Sequence, residues 1–322
     1  MSSIFVNTLV CAVCAVVLAG CHADIDPPAL HCVTGGVFEM GDPFDEGGDD
    51  EQPEHLVGLS PYWIGDTEVT NAQYAEVLNW AGDRGLLEAT PQGVFHNEQL
   101  LLETSDPDCQ IACIYDRYEP VVRDGFSMAD HPVVEVSWYG AVAYCNWLSQ
   151  ATGLSPVYDL DAWALRPLSS GGYRLPTEAE WEFAAAWAPV QERHWRYGIS
   201  SDNITRDAAQ GDFACNFSDH NPLELTTEPL TTPVGYYAGK RSPAGCRDMC
   251  GNVWEWIHDW YAADYYEQVS TSANNPTGPD EGVERCMRGG SWANDAGYCR
   301  TAYRGANPPD DTAWSVGFRV AR

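Results

Sequence analysis

The stretch RGGSWANDAGYCRTAYRGANPPDDTAWSVGFR at residues 288–319 decides the fold of this chain. Its Gly-Gly-Ser segment at 289–291 predicts a tight turn, because glycine adopts left-handed backbone conformations freely and a serine hydroxyl can hydrogen-bond within its own turn. Cys286 precedes this turn on a predicted strand, and Tyr298 and Cys299 follow it. The stretch therefore predicts an irregular segment that places a cysteine beside aromatic residues.

Three capped helices are predicted upstream of this stretch. Thr70, Ser137 and Thr177 are each placed to accept a hydrogen bond from the first turn of a helix. Gln73 and Glu180 complete a capping box three residues after the first and third of these caps. Apolar residues then recur at helical spacing. The three segments that contain these helices are 62–81, 132–149 and 174–185.

The second half of the chain has a different pattern. From about Trp187 onward, Gly, Pro, Asn and Asp separate short aromatic runs, which predicts loops and short strands. Loops of this extent in a compact domain are commonly functional, or are held by metals or disulfides. Together the two halves predict an α+β fold, in one large domain or two small ones.

Six motifs are spread along the chain: TEVTNAQY at 67–74, PVVEVSW at 132–138, RLPTEAEWE at 174–182, MCGNVWEW at 249–256, RGGSW at 288–292 and GFR at 317–319. In this order they resemble the formylglycine-generating-enzyme, or sulfatase-modifying-factor, family. The resemblance covers residues 33–322 as one domain. It implies that family's fold, an irregular, loop-rich relative of the C-type lectin fold, which is an α+β architecture.

The resemblance also implies a sulfatase-modifying-factor protein with oxidases among its relatives. Those oxidases convert a cysteine of a substrate protein to formylglycine, with dioxygen and one copper(I) ion held by two cysteine thiolates. The resemblance places the two cysteines at Asn294 and Cys299 of this chain. Because an amide oxygen is a hard, neutral ligand, we expect the affinity for copper(I) to drop sharply here.

Three functions remain open for Cys299. If the chain is active as a formylglycine-generating-type oxidoreductase, Cys299 is a catalytic or substrate-capturing thiol. If it is a non-catalytic module that binds a peptide or glycan, Cys299 is a buried or disulfide-bonded residue, and aromatic stacking with hydrogen bonding supplies the binding. An oxidase that uses Cys299 with an unrecognised second thiol is the third possibility, although Cys286 is not expected to supply that thiol.

A substrate groove is expected from the same resemblance. Trp254 and Ser291 match positions that line the family's groove, and Trp292 and Tyr298 are expected beside them. The alternative roles are a turn hydroxyl for Ser291 and a core aromatic for Trp254. A protein or peptide is the expected partner, with a glycan as the alternative.

Calcium is the second cofactor that the resemblance implies. One site would use the side chains of Asp248 and Glu255, and another would involve Asn216. Hard oxygen ligands on loops suit calcium, whereas solvated acidic side chains are the alternative interpretation. Backbone carbonyls would complete the two sites, from Gly251 and Val253 in the first and from Phe217 in the second.

The cysteines predict local cross-links without fixing them. Nine of the 12 cysteines follow Cys21, so at least one thiol is free, bound to a metal, or paired outside the chain. Cys109 with Cys113 and Cys246 with Cys250 are plausible bridges. Cys145 lies on the apolar face of its predicted helix and is expected to be a small core residue.

The N-terminus predicts export. An uncharged apolar run at 4–20 ends in Leu-Ala-Gly before Cys21, which is typical of a signal peptide and resembles the lipobox of bacterial lipoproteins. The run is shorter than the roughly 20 residues that cross a bilayer. We therefore predict a signal peptide at 1–20, lipidation of Cys21, a tether at 21–32, and a location in the bacterial cell envelope.

Composition excludes one class of partner. The chain has 17 Lys and Arg against 47 Asp and Glu, a net charge of −30, which repels nucleic acid and anionic lipid. Membrane contact is expected only through the lipid anchor, and the protein is expected to be monomeric. The acidic stretch 42–54 is predicted to be a solvated loop. Serine-hydrolase, phosphate-loop and dinucleotide-binding motifs do not occur.

Overall fold

The computed structural model describes residues 25–166, 171–207, 212–218, 220–237, 239–269 and 272–322. The predicted signal peptide and the lipidation site at Cys21 lie outside these residues. Residues 30–32, which the sequence assigns to a tether, belong to a strand because their backbone pairs with Tyr62–Gly65. No helix within the described ranges is long and apolar enough to cross a membrane.

The helices follow the predicted caps. Thr70 accepts from Gln73 N–H, Ser137 accepts from Gly140 N–H and Thr177 accepts from Glu180 N–H, so all three predicted N-termini are confirmed. The α-helices are α1 (Asn71–Gly82), α2 (Trp138–Ala151), α3 (Glu178–Ala186) and α4 (Tyr265–Gln268), and short 3-10 helices occur at Asp49–Glu51 and Ala296–Cys299.

The strands are short and spread along the whole described chain. They are β1 Leu30–Val33, β2 Gly36–Met40, β3 His55–Leu59, β4 Tyr62–Gly65, β5 Glu88–Ala89, β6 Val94–His96, β7 Gln99–Leu102, β8 Ile111–Ile114, β9 Arg117–Pro120, β10 Val122–Arg123, β11 Phe126–Ser127, β12 Tyr158–Asp159, β13 Ala164–Leu165, β14 Trp187–Ala188, β15 Arg193–His194, β16 Thr205–Asp207, β17 Asp212–Phe213, β18 Trp254–Trp260, β19 Ser272–Asn274, β20 Arg285–Arg288, β21 Gly305–Asn307 and β22 Val316–Gly317. The α+β, loop-rich fold is confirmed.

One sheet brings the C-terminal motifs together. Its strand order is β21-β20-β18-β22, and β18 pairs antiparallel with β20 and parallel with β22. Glu255 lies opposite Arg288 on one side and Gly317 on the other. A three-stranded sheet has the order β19-β3-β2, another has the order β5-β6-β7, and the remaining strands form two-stranded ladders.

Three apolar clusters form the core. The largest joins α1 and α2, where Tyr74 stacks on Tyr144 with ring centroids 5.5 Å apart. Cys145 is fully buried in this cluster, which confirms its predicted place in the core. The second packs α3 against β2 through an edge-on contact of Phe38 with Phe183. The third is small and contains Cys299.

Buried ion pairs join α3 to the motifs of the C-terminal sheet. Arg288 forms ion pairs with Glu178 and Glu182, and its side chain is fully buried. Arg319, just after β22, donates two hydrogen bonds of 2.6 Å to Glu255 on β18, and Trp181 of α3 donates its indole N–H to the same carboxylate at 2.7 Å. Because a charge without its partner is costly in such an interior, these pairs hold the helix and the sheet in one arrangement.

Candidate functional site

Three loop segments meet at the site, and backbone hydrogen bonds hold them together. Asn252 N–H donates to the Asn216 carbonyl at 2.7 Å, and Gly251 N–H donates to the Gly289 carbonyl at 2.8 Å. Ser218 N–H donates to the Asn294 carbonyl at 2.9 Å. The segments 213–218, 249–254 and 289–299 therefore form one unit, although long stretches of chain separate them.

The predicted Gly-Gly turn is confirmed. Gly289 has φ +96° and Gly290 has φ +70°, both in the region that favours glycine. A Cβ at Gly290 would lie 2.7 Å from the sulfur of Cys299 and 2.9 Å from the Tyr298 carbonyl oxygen. The second glycine is required because the turn packs its backbone directly on the Cys299 thiol.

Asn294 closes this turn. Its side-chain oxygen accepts from Ser291 N–H at 3.1 Å and from the Ser291 hydroxyl at 2.6 Å. Ser291 is buried, so its hydroxyl acts within the turn. The amide oxygen at position 294 is therefore occupied, and as a hard, neutral donor it does not fit the two-thiolate copper(I) site of the resemblance.

Cys299 is fully buried beside another cysteine that the sequence did not identify. Its thiol shares a hydrogen bond with Cys250, whose sulfur lies 2.9 Å from that of Cys215. The bond with Cys250 and burial raise the pKa of Cys299 well above its usual value, and burial does the same for Cys250. These thiols are therefore protonated at neutral pH. Cys286 lies in another cluster, against Glu178.

The predicted local bridges do not form. Cys246 belongs to the second apolar cluster and Cys250 to the third, so the predicted Cys246–Cys250 bridge is wrong. Cys109 is buried and donates to the Ile111 carbonyl, whereas Cys113 is exposed on β8, and both are free thiols. Closeness in sequence does not decide the partner, since side chains four residues apart in a loop need not point the same way.

The predicted groove is only partly at the surface. Tyr298 is 42% exposed, whereas Trp292 is buried against Trp314, with ring centroids 4.7 Å apart. Trp254 is mostly buried and is the inner end of a row of rings, 5.7 Å from Tyr303, which is in turn 4.9 Å from Tyr298. Tyr298 thus forms the exposed end of an aromatic row that leads into the core.

A cleft of about 360 Å³ opens beside Tyr298 and Tyr303. Its opposite wall comes from the acidic stretch 42–54. Most of this stretch is exposed, as its charge predicts, but Asp42 and Glu51 are buried, and both carboxylate oxygens of Glu51 accept from Arg300 at 2.7 Å. The sequence does not predict the ion pair between Glu51 and Arg300, because the two residues are 249 positions apart.

A cluster of buried carboxylates lies at the first predicted calcium site. Glu68 accepts from Asn252 through one oxygen, and its second oxygen, Oε2, has no hydrogen-bond partner. Burial, followed by the charge of Asp248, raises the pKa of Glu68 well above its usual value, and burial also raises that of Asp248. Oxygen donors with a surplus of buried negative charge fit a hard cation. The sequence analysis did not predict Glu68 as a calcium ligand. The available signal was its position in the motif at 67–74, two residues before the helix cap Thr70.

The other predicted calcium ligands differ in their partners. Glu255 is engaged by Arg319 and by the indole N–H of Trp181. Asn216 is buried, and its side-chain oxygen has no hydrogen-bond partner, so it is available to a cation. Phe217, Gly251 and Val253 are buried next to these side chains in the chain. At the first predicted site the carboxyl groups of Glu68 and Asp248 therefore fit calcium better than Glu255, which is paired with Arg319, and at the second site the Asn216 oxygen fits it.

A further acidic cluster lies elsewhere in the first half of the chain. Carboxylate oxygens of Asp106, Asp108 and Glu135 lie within 4.8 Å of one another. Burial, with the charge of Asp106, raises the pKa of Glu135 to about 8. No sequence pattern predicted this cluster, because an irregular loop and a strand-like motif contribute to it together.

Comparisons with known proteins agree on one family. The family model of the sulfatase-modifying factor enzyme 1-like domain matches residues 21–322. A formylglycine-generating enzyme of Streptomyces coelicolor is 34% identical over 313 residues, which covers 89% of this chain and 87% of the relative. The serine/threonine-protein kinase pkn1 of Chlamydia caviae is 32% identical, over 90% of this chain and 37% of that protein.

A solved structure supports the same fold. Treponema denticola variable protein 1 superposes with a TM-score of 0.60 at 25% identity, covering 91% of this chain and 94% of that one. The loop-rich architecture expected from the motifs is thereby confirmed.

Proposed function

The chain belongs to the sulfatase-modifying factor enzyme 1-like family, and from this premise we propose that it binds a protein or peptide segment at the cleft beside Tyr298 without the family's copper-dependent oxidation. The observation that carries the proposal is the state of the cysteine pair. The side-chain oxygen of Asn294 accepts hydrogen bonds from Ser291 within the turn, and Cys299 is a buried, protonated thiol. Neither is placed to act on a substrate cysteine.

The cleft supplies the chemistry for binding a peptide. Tyr298 and Tyr303 offer ring faces at the rim, and Glu46 and Asp50 line the same cleft. Arg300 and Arg304 also line it, but each is paired, with Glu51 and Glu178 respectively. Glu46 is paired with Arg196, and Asp50 accepts from the Tyr261 hydroxyl. The ring faces of Tyr298 and Tyr303 therefore suit an aromatic side chain by stacking and a basic one by cation–π contact. Relatives named formylglycine-generating enzymes act on proteins, which favours a peptide over a glycan.

The test combines binding and chemistry on one peptide. A fluorescent peptide with a sulfatase-type cysteine motif and a basic residue is titrated into the protein, then incubated with copper and oxygen and read by mass spectrometry. We expect measurable binding and no formylglycine. Tyr298→Ala should weaken binding at least several-fold, whereas Tyr115→Ala, at a tyrosine that is 97% exposed outside the cleft, should not. Equal binding by both variants would rule out the cleft.

A second candidate function is an oxidase that uses Cys299 together with Cys250. The hydrogen bond between these two thiols favours it, since Cys250 takes the place of the missing neighbour. The same assay decides between the two functions. Formylglycine that disappears in both Cys299→Ser and Cys250→Ser would replace the binding proposal with an oxidase.

Calcium is proposed as a structural cation and not as a reactant. The oxygens of Glu68 and Asp248 would hold it at the first site, and the side-chain oxygen of Asn216 would contribute to the second; Glu68 and Asn216 each have an oxygen without a hydrogen-bond partner. When bound, such a cation supplies positive charge among buried carboxylates and joins loops that have little regular structure. Added calcium should raise the thermal-unfolding temperature, and a chelator should reverse the increase.

Export and lipidation remain proposals that rest on the N-terminal sequence. The apolar run at 4–20 followed by Cys21 supports them. Expression in a bacterium with a labelled fatty acid should label the wild type in the membrane fraction. Cys21→Ser should lose the label, and an equally labelled variant would overturn lipidation at this residue.

A further inference from the structure

The geometry points to a covalent thiol site that is separate from the predicted copper pair: a disulfide between Cys215 and Cys250, with Cys299 as a third thiol that can exchange into it. This inference does not depend on peptide binding. It concerns a modification of the chain itself, and it would stand if the cleft had no ligand.

Backbone pairing brings the first two sulfurs together. Asn216 and Gly251 form an isolated parallel bridge, so the residues that precede them, Cys215 and Cys250, lie side by side. Their sulfurs are 2.9 Å apart although the residues are 35 positions apart in sequence. This separation is shorter than ordinary contact between unbonded sulfurs, and formation of a bond needs only a small movement towards the usual length of about 2.05 Å.

Cys250 is the central sulfur of the three. It contacts Cys215 on one side and shares a hydrogen bond with Cys299 on the other. Cys250 can therefore bond to either neighbour but not to both. Bonding to Cys215 leaves Cys299 as a lone thiol, and bonding to Cys299 would leave Cys215.

The surroundings favour a disulfide over a metal. Two thiolates on one tetrahedral zinc, at about 2.3 Å per bond, hold their sulfurs roughly 3.8 Å apart, farther than Cys215 and Cys250. Across the described parts of the chain, the cluster of ligand atoms spaced to hold a metal is Asp106, Asp108 and Glu135 and not the cysteines. The neighbours of the sulfurs include Ile199 and Ala214, which offer no metal ligand.

The bond forms by thiol–disulfide exchange with an external disulfide. The Cys215 and Cys250 thiols give two electrons and two protons, their Sγ–Sγ bond forms, and the bond of the oxidant breaks to release two thiols. Exchange with Cys299 needs no oxidant: its sulfur attacks that of Cys250, the bond to Cys215 breaks, and Cys215 takes up the proton. Since all three thiols are buried, oxidation requires an opened chain, such as one that is refolding.

The experiment maps cysteine pairs in the full-length protein. Reduced protein is unfolded in urea, refolded with oxidised glutathione, quenched in acid, alkylated with N-ethylmaleimide and digested without reduction. We expect a peptide pair that joins Cys215 to Cys250, and an alkylated Cys299. The intact mass before alkylation should fall by two hydrogens.

Three variants sharpen the test. Cys215→Ser should move the cross-link to Cys250 and Cys299, and Cys250→Ser should abolish cross-links between the remaining two residues. Cys145→Ser, at a buried cysteine in the core of α2, is the matched control and should leave the wild-type cross-link unchanged. Circular dichroism of each variant, repeated with alanine, separates loss of the bond from loss of the fold.

Two outcomes would overturn the inference. Folded, oxidised protein in which Cys215, Cys250 and Cys299 all carry the alkylating group would show that no bond forms. Stoichiometric zinc or copper in protein purified without added metal, lost in Cys250→Ser, would replace the disulfide with a metal site. Both results are distinct from a failure of peptide binding, which leaves the map of cysteine pairs untouched.

Discussion

At the scale of single residues, Gly290 determines how closely the turn approaches Cys299. An alanine there meets two penalties, a left-handed backbone and a Cβ 2.7 Å from the Cys299 sulfur. Gly153 has φ +74°, and a Cβ added to it would meet no atom within 4 Å, so only the first penalty applies there.

We expect Gly153→Ala to lower the free energy of unfolding by about 1–2 kcal/mol. Gly290→Ala should lower it by a further 1–3 kcal/mol or so, as is typical of overpacking. Urea denaturation of the two variants measures the difference. Equal losses would show that the turn can move away from the thiol.

The carboxyl of Glu135 predicts a dependence of stability on pH. Its pKa of about 8 in the folded chain lies above the usual glutamate value because of burial and the charge of Asp106. The folded state therefore binds this proton more tightly than the unfolded state does. Its contribution to stability is complete below the unfolded pKa and is lost as pH rises towards 8.

Glu135→Gln should consequently reduce the fall in stability between pH 5 and pH 8. Urea denaturation in chelator at several pH values measures this slope. Glu119→Gln, at an exposed position on β9, is the control and should keep the wild-type slope. An unchanged slope in Glu135→Gln would assign the pH dependence to other groups.

At the scale of elements, the ion pairs of α3 decide how the helix meets the C-terminal sheet. Arg288 on β20 reaches Glu178 and Glu182 with no exposure of its side chain. A methionine in its place keeps some of the packing but removes the arginine that two buried carboxylates share, so that Glu178 keeps Arg304 and Glu182 keeps His194 as partners.

Arg288→Met should therefore destabilise the protein by about 3–5 kcal/mol. Arg117→Met removes the exposed pair with Asp83, whose side chains are 52% and 57% exposed, and should change stability by less than about 1 kcal/mol. Thermal unfolding of both variants compares buried with exposed pairs directly. A small effect at Arg288 would mean that the glutamates become protonated or find other partners.

At the scale of the whole molecule, a cation would join segments that have few regular contacts. Calcium at 100 times its dissociation constant should stabilise the fold by about 2.7 kcal/mol, which a chelator removes. Glu68→Gln should lose most of the response to calcium and should be more stable than the wild type in chelator, because an amide avoids the cost of burying a carboxyl whose pKa is raised. Thermal unfolding with and without EDTA measures both effects. Gln in place of the exposed Glu119 is again the control.

Much of the local structure could be predicted because its causes are local. The capping residues Thr70, Ser137 and Thr177 bond to groups three residues away, so sequence spacing alone places three helix N-termini. The turn at Gly289 and Gly290 is predicted for the same reason. The site was only partly predicted, since Glu68 and Cys250 gain their roles from partners far away in the chain.

By itself the sequence determined the family, the α+β class, the caps, the Gly-Gly turn and the replacement of one cysteine by Asn294. Only the tertiary structure decided that Cys250 lies between Cys215 and Cys299, that Glu51 is buried on Arg300, and that Tyr298 ends the row of rings at a cleft. The physical reason is how far apart in sequence the interacting groups are. Caps and turns depend on neighbours within a few residues, whereas these contacts depend on how β18, β20 and the loops between them pack, which no local pattern records.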